Sequence, residues 1–68
     1  MIIKVILKDN SILLYSDVKK FDLLKDTTGE DGIYINDEFV SSLYNVKNIY
    51  VMNEDGKTID KISGSEHV

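Results

Sequence analysis

The chain has 68 residues and a formal net charge of −4, with 12 acidic residues against eight cations, all of them lysine. This length allows one domain, whose core alone supplies about 3–5 kcal/mol of stability. Cysteine is absent and the single histidine, His67, is next to last, which excludes disulfides and thiolate metal sites. If the core is not sufficient, support must come from self-association or from a partner protein.

The residue types that catalysis and cofactor binding require are scarce. With the only imidazole at His67, a serine–histidine pair is not expected. The carboxylates cluster in glycine-bearing segments, where water keeps their pKa values alike. No segment has the spacing of a calcium-binding or phosphate-binding loop. We therefore expect a protein that is not an enzyme and that binds no cofactor or metal.

The first eight residues alternate apolar side chains with lysines, and no small-residue cleavage site follows them, so they do not resemble a secretory signal. No apolar run approaches the roughly 20 residues that cross a bilayer as a helix. The sequence predicts a cytoplasmic protein without membrane contact.

Period-two alternation predicts a strand at the start of the chain. One face of this strand would carry Ile3, Val5 and Leu7, and the other face Ile2 and Ile6. Asp9 and Asn10, which tolerate positive φ, would then turn the chain into a second strand over residues 11–16.

A third strand is predicted over residues 18–24 and a short fourth strand over 33–35. Asn36 or Asp37 could cap a short helix through residue 44, which Asn45 would end in the left-handed conformation. An irregular loop is the alternative for this segment.

Two further strands are predicted over residues 46–53 and 58–62. They would be joined by a hairpin in which Asp55-Gly56 suits a type I′ turn. The polar residues 64–68 are predicted to form a flexible tail.

These elements predict a single mainly β domain over residues 1–63, or an α+β domain if the 37–44 segment is helical. Five to six short strands cannot bury both faces of a flat, open sheet by themselves. We therefore expect a small, strongly bent antiparallel sheet or a partly open barrel.

Two of the strands carry apolar residues on both faces, which a sheet with one solvated face does not need. The second set consists of Ile2, Ile6, Tyr50 and Met52. Either the curvature of the fold or the helical turn covers this set, or the set forms a homodimer or partner interface, where Tyr and Met are enriched. We expect the chain to be a homodimer.

The second candidate surface is acidic. Between residues 26 and 38 the chain has five carboxylates and no cation: Asp26, Glu30, Asp31, Asp37 and Glu38. This segment is expected either to be a solvated loop that favours solubility or to dock into a basic groove of a partner protein.

Nucleic-acid binding by a small β-barrel is the alternative function. Lys19, Lys20 and Lys47 would form a modest basic patch among the tyrosines. The acidic balance and the absence of arginine count against it. A structural subunit of a larger assembly is a third possibility.

The run Ile2–Ser11 (IIKVILKDNS) and the later run YNVKNIYV resemble short proteins from phages and mobile elements of low-GC Gram-positive bacteria. Those proteins often begin with a strand, a Lys-Asp-Gly/Asn-Ser turn and a second strand. The resemblance implies a setting and no particular residues. Small acidic phage proteins of this kind include inhibitors of host defence, such as anti-CRISPR proteins, which act by binding. The implied partner is a host protein, such as a nucleic-acid enzyme, in the host cytoplasm.

Overall fold

The computed structural model describes residues 1–24 and 32–63. Within them the chain is mainly β, as predicted, with no α-helix, and it has no helix long and apolar enough to cross a membrane. In chain order the elements are β1 Ile2–Leu7, β2 Ile12–Tyr15, β3 Phe21–Leu24, β4 Gly32–Ile35, β5 Glu38–Ser41, the 3₁₀ helix η1 Leu43–Asn45, β6 Val46–Met52 and β7 Thr58–Ser63. The tail predicted over residues 64–68 lies outside the described residues.

The strands form two antiparallel sheets, where the sequence predicted one bent sheet or a partly open barrel. The four-stranded sheet has the order β2-β1-β6-β7, and the three-stranded sheet has the order β3-β4-β5. A sheet with one apolar face must cover that face with another layer. Here each sheet covers the other, so the described strands close no barrel.

The core lies between the two sheets and is entirely aliphatic. Its buried members are Ile3, Val5, Val18, Ile33, Ile35, Leu43, Val46 and Ile49. Ile3 and Val5 of β1 are fully buried, which confirms that one face of this strand is directed to the core. In β6, Ile49 is fully buried in the same way and lies directly opposite Val5.

The prediction of a helix over residues 37–44 is wrong, because Asn36 and Asp37 form the turn between two strands, β4 and β5. Their φ angles are 52° and 67°, and the residues flanking them pair across β4 and β5. Two consecutive left-handed residues make the type I′ turn of a two-residue hairpin. The Asn36 side-chain oxygen accepts hydrogen bonds from the backbone N–H groups of Lys19 and Lys20, at 2.8 and 3.1 Å. The strand that the sequence did not predict, β5, therefore occupies half of the predicted helix.

The remainder of that segment forms η1, which brings one large side chain into the core. The Ser42 hydroxyl oxygen accepts a hydrogen bond from the backbone N–H of Tyr44 at 3.3 Å and caps the turn. Leu43 is fully buried, whereas Tyr44 is 54% exposed. Asn45 does not have the positive φ predicted for it.

The other two hairpins are confirmed, but their turns are not of type I′. In the β1–β2 hairpin the Asn10 N–H donates to the Leu7 carbonyl at 2.9 Å. In the β6–β7 hairpin the Gly56 N–H donates to the Asn53 carbonyl at the same distance. In each loop one residue alone has positive φ, 71° at Asn10 and 82° at Gly56. This is a type I turn followed by a left-handed residue.

We expect Leu43→Ala to destabilise the domain by about 2–5 kcal/mol, because it leaves a cavity where η1 meets both sheets. Equilibrium urea unfolding followed by tyrosine fluorescence measures the loss. Tyr44→Ala, one residue away and largely exposed, is the matched control and should change stability by about 0.5 kcal/mol or less. Equal losses from the two substitutions would show that η1 does not anchor the core.

Asn36→Ala is expected to cost about 1–3 kcal/mol, since it places an ordinary side chain at positive φ and removes the acceptor for two backbone N–H groups. Asn36→Gly removes the same acceptor but tolerates the φ angle, so it should cost less. Urea unfolding of both variants separates the two effects. A glycine variant as unstable as the alanine variant would mean that the backbone angle contributes nothing.

Candidate protein-binding surface

The outer face of the four-stranded sheet, turned away from the core, carries several apolar side chains together with two lysines. Across the strands, Ile2 lies opposite Met52, and Ile6 lies opposite Ile12. We call this surface the lysine face, and its residues are Ile2, Lys4, Ile6, Ile12, Leu14, Asn48, Tyr50, Met52, Thr58, Lys61 and Ser63. Its centre is a row in which Leu14, Lys4, Tyr50 and Lys61 lie side by side.

The four residues predicted for self-association, Ile2, Ile6, Tyr50 and Met52, all lie on the lysine face and are half-buried. Sequence reasoning missed two more, Ile12 and Leu14, which are 58% and 65% exposed. The signal was present, because β2 also has apolar residues on both faces, but its register against β1 was needed to join them to the others. The three-stranded sheet and Leu43 of η1 pack on the opposite side, so neither covers this surface.

Two ammonium groups flank the only aromatic ring of the lysine face. The Nζ atoms of Lys4 and Lys61 lie 5.9 and 5.7 Å from the centroid of the Tyr50 ring. Each such cation–π contact stabilises by about 0.5–1 kcal/mol at an exposed site. The contacts hold both cations above the sheet, and no carboxylate lies among the residues of this face.

The acidic surface is only partly within the described residues, because Asp26, Glu30 and Asp31 lie outside them. Asp37 and Glu38 are exposed at the β4–β5 turn. Lys20 Nζ donates to Asp37 Oδ1 at 2.8 Å and lies 3.8 Å from Asp22 Oδ2. The hydrogen bond to Asp37 is the main reason that the pKa of Lys20 is raised. The negative charge of Asp37 is thus partly neutralised by Lys20 of the same chain. Docking through the acidic segment stays a prediction.

The same ion pairs bear on the basic patch predicted for nucleic-acid binding. Of Lys19, Lys20 and Lys47, the second is already engaged by two carboxylates. A phosphate would have to compete with these carboxylates for Lys20. The arrangement does not strengthen the nucleic-acid alternative.

A shallow depression of about 320 Å³ offers no catalytic pair. It is lined by Leu7, Lys8, Asp9, Ser41 and Asn45. The Ser41 hydroxyl donates to the Ser42 carbonyl at 3.1 Å. Hydrogen bonds from Ser11 lower the pKa of Asp9, so this carboxylate is a weak base at neutral pH. Nothing in this arrangement activates the hydroxyl as a nucleophile, and the described residues contain no cluster of potential metal ligands.

Comparison with known proteins gives no relative from which a role can be transferred: no family model, curated protein or solved structure matches the chain. The lysine face must therefore be interpreted from its own chemistry. Exposed apolar side chains grouped on one face favour an interaction site, and Tyr and Met are enriched at such sites.

We expect Leu14→Ala to change the free energy of unfolding by about 0.5 kcal/mol or less, because Leu14 is mostly exposed. Leu13→Ala, the same change one residue earlier, should cost about 2–4 kcal/mol, because Leu13 packs against the core. Urea unfolding in dilute solution excludes any contribution from association. A similar loss from both changes would mean that the lysine face supports the fold and is not kept for binding.

Proposed function

We propose that this chain is a non-catalytic protein-binding module and that the lysine face is its contact surface. The observation that carries the proposal is the exposure of Ile12 and Leu14 beside four half-buried apolar residues, on the side of the sheet away from the core. If the chain acts as an inhibitor of a host enzyme, as the resemblance to phage proteins implies, a surface of this kind would do so by binding.

The composition of the lysine face suits a protein partner. Removal of Ile12 and Leu14 from water would contribute about 1–2 kcal/mol each. Tyr50 provides a flat ring held between two cations, which costs little conformational entropy to order. Lys4 and Lys61 would need acceptors on the partner, because a buried charge without a counter-ion is costly. The partner surface is therefore apolar with at least one carboxylate or carbonyl group near its centre.

Nucleic acid fits the lysine face less well. Two lysines neutralise few phosphates, and strand binding needs a longer basic track with several rings for stacking. The aliphatic side chains of this face offer no hydrogen bonds to bases. We therefore place protein binding first.

A photo-activated crosslinking residue placed at position 14 tests this function in cells that produce the protein. We expect a discrete protein adduct, because position 14 lies on the contact surface. The matched control carries the same residue at position 44, where Tyr44 is similarly exposed but lies on η1.

The adduct should disappear when Ile6→Asp is added to the chain that carries the crosslinker at position 14. Absence of an adduct at position 14, or equal adducts from positions 14 and 44, would contradict the proposal. Mass spectrometry of the adduct identifies the partner, whether a second copy of the chain or another protein.

A further inference from the structure

The charges of the lysine face restrict what can cover it, and this inference rests on the proposed function. In a two-fold symmetric dimer the same patch meets itself. Lys4 and Lys61 of both copies would then be brought together, and the lysine face contains no carboxylate to pair with them. Buried cations without counter-ions are strongly destabilising. A face-to-face dimer is therefore disfavoured, and the occupant must carry negative charge as well as apolar surface.

The opposite side of the domain has this combination. The outer face of the three-stranded sheet aligns Asp22, Tyr34 and Phe39 in one row, with Leu24 opposite Gly32 beside it. We call these five residues the aromatic face. Phe39 is 59% exposed and Leu24 is 49% exposed, so this face too is apolar and uncovered by the described residues.

The ring of Phe39 is held in a defined position. It packs edge-on against Tyr34, with 5.5 Å between the ring centroids and 69° between the planes. It also lies directly on the backbone of Gly32, where an added Cβ would be 2.7 Å from Phe39 Cε1. A large side chain fixed in this way before binding loses little entropy on binding, as interface anchors do.

The charges on this side are of the opposite sign. Asp22 lies on the aromatic face, and Asp37 lies at the adjoining turn, with Lys20 between them. Among the described residues, two carboxylates and one ammonium group give this region a net negative charge, whereas Lys4 and Lys61 make the lysine face positive. Opposite signs on two apolar patches attract, and they fix which patch meets which.

We propose that the chain associates with itself head to tail, with the lysine face of one copy on the aromatic face of the next. The cluster of Asp22, Lys20 and Asp37 in one copy, which keeps a net negative charge although Lys20 pairs with both carboxylates, would face Lys4 and Lys61 of the other. Phe39 would pack among Ile12, Leu14 and Tyr50. Because the two faces differ, each added copy leaves one face of each kind open, and the contact extends into a row of copies.

Two substitutions, each of which blocks one face, test this arrangement. Leu14→Asp places a carboxylate on the lysine face, where it would meet the carboxylates of the next copy. Phe39→Lys places a cation on the aromatic face, where it would meet lysines. Each variant should remain a single chain by light scattering, and an equimolar mixture should form a complex that neither variant forms alone, since one intact face of each kind remains.

The unsubstituted chain should show a mass that rises with protein concentration and falls as NaCl screens the charges. A Phe39→Lys variant that still dimerises by itself, with no complex in the mixture, would establish the face-to-face dimer and overturn the proposal. An unsubstituted chain that stays single at millimolar concentration would also overturn it. A crosslink from position 14 to a different protein would then leave the binding function standing without self-association.

If Phe39→Lys lowers the unfolding midpoint, Leu24→Lys replaces it, since Leu24 is at the end of β3 and half exposed. Lys61→Glu serves in the same way for the lysine face. The mixture of Leu24→Lys with Lys61→Glu should again form a complex that neither variant forms alone, and its absence would count against the head-to-tail contact.

Discussion

Contact between the two sheets through aliphatic side chains is the interaction on which the rest of the structure depends. No aromatic or polar side chain is among the buried residues, and among the described residues no buried side-chain polar atom lacks a hydrogen-bond partner. A chain of this length has residues for one such layer only. Each sheet therefore gives one face to the core, and the described residues leave its other face uncovered.

The turns determine which face each strand gives to the core. A slip of one residue in a hairpin would exchange the two faces of a strand. Asn10, Asn36 and Asp37 take left-handed conformations that most side chains avoid, and Asn36 is also held by hydrogen bonds to the segment before β3. The turn at Asn10 thereby helps to fix the register of β2 against β1 in the four-stranded sheet, and the turn at Asn36 and Asp37 does the same for β4 and β5.

The strands and their inward faces could be predicted because alternation is a local property of the sequence. Alternation places Ile3 and Val5 on the face opposite Ile2 and Ile6 for this reason, and the structure has them so. The hairpin at Asn36 could not be recognised, because an Asn-Asp pair suits the start of a helix as well as a type I′ turn. The contact that distinguishes them comes from Lys19 and Lys20, which are 16 or more residues away in sequence. The central row of the lysine face also depended on register, which brings Leu14 beside Lys4 and Tyr50.

The close contact between Gly32 and Phe39 links two positions that should vary together among relatives of this chain. Any side chain at position 32 would occupy the space under the Phe39 ring. A relative with alanine or a larger residue there must therefore have a smaller side chain at position 39, or a ring turned away from the sheet. Absence of glycine at position 32 would thus identify, from sequence alone, relatives whose aromatic face has a different shape.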